Sequence, residues 1–120
     1  MKLTLPMVPS LNRMYRTVQG RMLISAEGRD YKKTVGQLCL VQRIKPLLGE
    51  IALTVTIYRP AKRGDLDNYF KGLMDSLNGI AWVDDSQIVE IHAFRKDDKT
   101  DPRIEIEIWG QEENTKQDHH

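Results

Sequence analysis

The chain has one cysteine in 120 residues, Cys39. An intrachain disulfide is therefore excluded, and Cys39 reads as a small core hydrophobe in a reducing compartment. No run of 18 apolar residues occurs, and the opening Met1-Lys2-Leu3-Thr4-Leu5-Pro6 lacks the apolar core of a secretion signal. The chain is thus expected neither to span a membrane nor to be exported, and a cytoplasmic location is expected. Internal repeats and low-complexity segments are absent. Histidines number three; His92 reads as a partly exposed strand residue, and His119 and His120 are given no role. None is placed to recommend it as a general base.

An excess of one charge is also lacking, since the formal net charge is only +1. That total conceals an uneven distribution. Residues 1–50 balance to +6 and residues 51–120 to −5, compatible with a basic face for a polyanion beside an acidic site for a metal. A solvated charged surface gives similar counts. At this length one domain is expected, over residues 1–110, with the polar, apolar-poor residues 111–120 as a flexible tail.

What is present is organised around Arg63-Gly64-Asp65-Leu66-Asp67-Asn68-Tyr69-Phe70-Lys71. Leu66, Tyr69, Phe70, Leu73, Met74 and Leu77 follow helical spacing, a stripe broad enough to lie on a sheet. Asp65 has the chemistry of an N-cap, and Asp67 and Asn68 fall in the first turn, where free N–H groups favour acidic side chains. Lys71 follows Asp67 by four residues and shares its face. Helix-start chemistry accounts for the aspartates by itself. A second acidic stretch, Trp82-Val83-Asp84-Asp85-Ser86-Gln87, offers another reading, in which two clusters converge on one divalent cation that relieves their repulsion. Oxygen-only ligands suit Mg2+ or Mn2+.

Along the chain, residues 2 to 5 read as a short strand ended by Pro6 and Pro9. Residues 9–16 read as a polar, basic loop or turn in which Arg13 and Arg16 grip phosphates and Asn12 bonds to backbone or ligand; an ordinary surface connection is the competing reading. Arg21 to Ile24 is weak strand, and Ser25 caps a helix whose stripe is Tyr31, Val35, Leu38, Val41 and Ile44, bounded by Pro46. Its polar side carries Arg29, Lys32 and Lys33. Residues 51–58 alternate with period two and form the clearest strand. It feeds through the basic loop 59–64, with Lys62 and Arg63, into the central helix. Asn78-Gly79 stops that helix. Residues 88–94 and 104–108 read as two strands of an antiparallel hairpin around a turn at 97–102. The sum is an α+β domain, a mixed sheet of about five strands with two packed helices.

Asp65-Leu66-Asp67-Asn68 with Lys71, followed by Trp82 to Val89 and preceded by residues 9–16 and 25–31, resembles the RusA family of Holliday-junction resolvases. The resemblance runs in the same order from about residue 5 to residue 95. It implies a small homodimeric, Mg2+-dependent endonuclease that cuts four-way DNA junctions symmetrically. By matching position, Asp65, Asp67 and Asp85 would be the metal-binding catalytic carboxylates and Lys71 the catalytic lysine. Asn12, Arg13, Arg16, Lys62, Arg63, Asn68 and Lys71 are the candidate DNA contacts. Some members carry a longer arginine run where this chain has Lys62-Arg63-Gly64, a departure that bears on DNA affinity more than on chemistry. Two readings stand beside this one: an inert nucleic-acid-binding module in which Asp65 and Asp67 only start a helix, and a metal-dependent nuclease for flaps or other branched DNA.

Overall fold

A computed structural model describes residues 1–60 and 66–110, with the side chain of Asp67 left aside. The expected Asp65 cap, the basic residues Lys62 and Arg63, and the tail 111–120 lie outside the described residues. Strands are β1 (Lys2–Pro6), β2 (Tyr15–Val18), β3 (Arg21–Ile24), β4 (Ile51–Arg59), β5 (Ile88–Asp97) and β6 (Arg103–Gly110). Helices are α1 (Leu11–Met14), α2 (Ala26–Val41) and α3 (Asp67–Leu77), with a 3-10 turn at Asp85–Gln87. Four strands form a mixed sheet in the order β1-β6-β4-β5, and β2 and β3 pair separately. The α+β class stands.

Period-two patterning decides which face of the sheet is dry. Leu3, Leu5, Leu53, Val55, Ile57, Ile104, Ile106 and Ile108 are all buried, and the registers Leu3↔Ile106, Leu5↔Ile104 and Val55↔Ile106 align them on one face. α2 and α3 complete the core with Tyr31, Val35 and Cys39 from one and Tyr69, Leu73 and Leu77 from the other. Lys2, Thr4, Thr54, Thr56, Glu105 and Glu107 alternate with the buried set.

The expected β5–β6 hairpin does not form. β4 lies between the two strands, parallel to β5 (Leu53↔Ile91) and antiparallel to β6 (Leu53↔Ile108). Alternation cannot tell a hairpin partner from a second neighbour, but burial can. β4 has the most apolar run and is occluded from end to end apart from Thr54, Thr56 and Tyr58, so it takes the centre, and α3 supplies the crossover that a parallel β4–β5 pair requires. Residues 98–102 then span two strand spacings, roughly 10 Å, across the end of β4, where the Asp98 N–H donates to the Arg59 carbonyl at 2.8 Å.

Two local expectations also change. Residues 9–16 are a loop or turn only in their first half: after Pro9 and Ser10, Leu11–Met14 closes one helical turn, and Tyr15–Val18 is strand, paired with Arg21–Ile24 through a two-residue turn. Gln19 and Gly20 both take positive φ there, 51° and 74°, the backbone of a type I′ hairpin turn. In α2, Ser25 caps as expected, accepting from the Gly28 N–H at 2.9 Å. The helix ends sooner than the stripe predicted: Val41 is 81% exposed, because a 3.6-residue period puts Cys39 on the buried face and Val41 well off it. Ile44 lies beyond the helix. Its N–H reaches the Cys39 carbonyl at 2.9 Å and that of Arg43 reaches Leu40 at 3.0 Å, a Schellman closure with Arg43 at φ 58°.

Candidate active site

The Asp84-Asp85 pair divides its work. Asp84 caps the 3-10 turn, accepting from the Ser86 N–H at 3.0 Å. Gln87 completes a capping box, its Oε1 accepting from the N–H groups of Val83 at 2.8 Å and Asp84 at 2.9 Å. Its Nε2 donates to the carbonyls of Leu47 and Gly49, each at 2.8 Å, so Gln87 pins the turn to the approach to β4. Asp85 has no part in the box. The indole N–H of the fully buried Trp82 donates to its Oδ1 at 2.7 Å. This contact orients the carboxylate, and Oδ2 has no partner among the described residues.

Asp67 opens α3, whose eleven residues make a helix roughly 16 Å long. Its far end is closed by Asn78, whose N–H donates to the Met74 carbonyl, and by Gly79 at φ 84°. That end bridges to Trp82. Asp85 follows Trp82 and leads into β5, and Ile88 pairs with the first residue of β4. Asp67 and Asp85 therefore enter at opposite ends of α3. Among the described residues no group of three or more His, Cys, Asp or Glu comes together that could hold a metal.

On α3 itself, Lys71 donates to Asp75 Oδ2 at 3.1 Å, and the same oxygen accepts from the Tyr15 hydroxyl. The Lys71 ammonium lies 5.0 Å from the centre of the Tyr15 ring. Burial, then the hydrogen bond and charge of Asp75, push the Tyr15 phenol up from its ordinary range, so it remains a donor. Asn68 Oδ1 accepts from the Leu11 N–H at 3.4 Å, tying the start of α1 to α3. Arg13 is engaged by Glu27 through two nitrogens. Asn12 and Arg16 are exposed. At the end of β4, the buried Arg59 pairs with Asp97 at 2.8 Å, joining the ends of β4 and β5.

These elements follow the order of a known family. The model of the family described as Endodeoxyribonuclease RusA matches residues 5–109. The chain belongs to the RusA family. It is 33% identical over 114 residues to the crossover junction endodeoxyribonuclease RusA of Escherichia coli (strain K12), covering 88% of this chain and 91% of that one. The corresponding protein of Enterobacteria phage 82 is 34% identical with the same coverage. Sequence reasoning gave no role to four residues that the structure joins to the candidate site residues, Tyr15, Asp75, Trp82 and Gln87, although Tyr15, Trp82 and Gln87 lie in the segments that carry the resemblance. Asp75 stands four residues after Lys71, and Gln87 three after Asp84, the spacings of a helical pair and of a capping box. Those signals were present; for Tyr15 and Trp82 the spacing gives no sign of the side-chain bonds they make.

Proposed function

We propose that this chain is a Mg2+-dependent endodeoxyribonuclease that resolves four-way DNA junctions by paired phosphodiester hydrolysis, in recombination and repair in the cytoplasm. It acts as a homodimer. The observation that carries the reading is Asp85, a carboxylate oriented by Trp82 with one oxygen to spare, in a chain of the RusA family. The donor set fits the ion: Asp65, Asp67 and Asp85 offer only carboxylate oxygens, as Mg2+ prefers and Mn2+ accepts. When bound, a divalent cation lowers the pKa of a water and offsets charge gathering on the phosphate.

The protein's own part is positioning. Lys71 places an ammonium where a scissile phosphate or departing oxyanion gains from it. Arg16, with Asn12, Asn68, Lys62 and Arg63, holds the DNA backbone, and Arg13 joins them where phosphate displaces Glu27. Since Asp67 and Asp85 enter at opposite ends of α3, one copy completes its ligand set with Asp85 of a second copy. A two-fold dimer then presents two such sites to a junction with the same symmetry.

Incubation with a synthetic four-way junction, with and without Mg2+ and beside flap and linear duplex, tests the activity. Symmetric cuts on the junction alone are expected; equal rates on a flap would assign a broader branched-DNA nuclease. The shared site has its own test. Asp67→Asn and Asp85→Asn are each inactive, yet the mixed dimer contains one site with both carboxylates intact and nicks one strand. If the mixture stays inactive while the dimer exchanges subunits, each site belongs to one chain.

A further inference from the structure

Asp75 sits in the last turn of α3, where the negative end of the helix dipole disfavours a carboxylate. Its pairing with Lys71 also runs in the weaker order, the base preceding the acid by four residues. Helix stability thus gives little reason for an aspartate here. Its surroundings give another. One oxygen, Oδ2, accepts from the Lys71 ammonium and from the Tyr15 hydroxyl together, and the Tyr15 ring lies against the ammonium from the side.

We propose that Asp75 and Tyr15 are positioning residues for Lys71, holding its ammonium to one direction while leaving the remaining N–H donors for a phosphate oxygen. The inference rests on the reading of Lys71 given above. An ammonium has three donors on a flexible four-carbon stem. With Asp75 as its one carboxylate partner among the described residues, two donors remain, and the Tyr15 face closes one side of the arc the stem can sweep.

Tyr15 is not part of α3. It opens β2, one residue before Arg16 and two after Arg13, and is buried. The segment proposed to hold the DNA backbone is therefore joined by a side-chain hydrogen bond to the carboxylate that orients the lysine. A phosphate drawn to Arg16 is brought to a ribbon whose first residue already fixes Lys71. Binding and chemistry then share one rigid connection rather than two separately mobile arms.

The test uses single-turnover cleavage of a four-way junction by the full-length protein at saturating Mg2+, with junction affinity and thermal stability measured beside it. Asp75→Asn is expected to slow cleavage about tenfold, as the loss of one charge-assisted hydrogen bond, with affinity changed by less than about twofold. Asp75→Glu, which restores the charge, is expected to recover most of the rate. Tyr15→Phe gives a smaller loss, about threefold. In the Lys71→Met background Asp75→Asn is expected to cost nothing more, because its effect passes through the lysine.

If Asp75→Asn also slows Lys71→Met tenfold, Asp75 acts independently and the proposal is overturned. It is equally overturned if Lys71→Met is slow while Asp75→Asn and Tyr15→Phe both cleave at the parent rate. If Lys71→Met itself cleaves normally, the reading of the lysine fails, and the inference with it. Should Asp75→Asn not fold, the Tyr15→Phe and Asp75→Glu rates in the two backgrounds decide the same question.

Discussion

Lys71 and Arg103 are each a cation set against a tyrosine ring and bonded to carboxylates, and they differ in how much of their bonding is used up. Arg103 lies 3.8 Å from the centre of the Tyr58 ring. It donates to Asp98 at 2.9 Å, to Glu105 at 2.9 Å and to the Asp101 carbonyl at 2.9 Å. Lys71 stands farther from its ring and meets one carboxylate among the described residues. Half of its side chain is exposed, against 23% for Arg103. Three of the five donors of the planar guanidinium are held by fixed partners that close the turn between β5 and β6, against one of the three donors of the more exposed ammonium among the described residues. The acidic residues repeat the contrast with the sign reversed. Asp84 is absorbed by its cap, whereas Asp85 keeps an oxygen outside its one bond to Trp82.

The largest effect expected from this contrast is at the acidic pair. Asp85→Asn should lower junction cleavage on the order of a thousandfold, as loss of the carboxylate proposed to hold the metal, with junction binding retained. Asp84→Asn should leave the rate unchanged, because asparagine caps as well as aspartate. Comparable losses in both would erase the distinction. Next is Lys71→Met, expected to cost roughly a hundredfold in rate, the scale of one transition-state donor, while stability moves by less than about 0.5 kcal/mol, as for an exposed pair. For Arg103→Met the order inverts: a lowered melting temperature by calorimetry and an unchanged rate per folded molecule. A rate loss there would show that Arg103 also serves the chemistry.

The smallest effect concerns pH. The Asp101 N–H, then the Arg103 guanidinium, hold the Asp98 carboxyl below its ordinary value of 3.8. A lowered folded-state pKa stabilises above the unfolded value and is lost as pH falls through the folded one. The melting-temperature gap between the parent and Asp98→Asn should therefore be widest near neutrality and close below about pH 3.8. A gap that stays constant to strong acid would mean that the turn owes nothing to this charge.

Much of the fold could be read from pattern alone. The 51–58 alternation, the stripe of Leu66 to Leu77, the Ser25 cap and the Asn78-Gly79 stop each depend on neighbours within one turn or one pleat, and each is where it was expected. Pairing was less legible. Residues 88–94 and 104–108 alternate equally well whether they touch each other or flank a third strand, and what separates them is burial of β4 on both edges, a property of the whole sheet. The hairpin at Tyr15 to Ile24 was half visible because Gln19-Gly20 is not among the commonest turn pairs. In the candidate site, composition found the acidic residues, but only packing shows that Trp82 serves Asp85 and that Tyr15, more than fifty positions away in the chain, meets Asp75 and Lys71.

The pairing of β1 with β6 places the first and last described strands side by side, and the Met1 amino group donates to the Ile108 carbonyl at 2.8 Å. During synthesis β1 has no partner until residues 103–107 have left the ribosome. The crossover β4-α3-β5 can assemble earlier, with one edge of β4 still bare. Non-local pairings of this kind close late. Leu3 and Leu5 thus stay wet until those residues emerge, and a nascent chain stalled before residue 103 presents an open apolar edge to whatever meets it first.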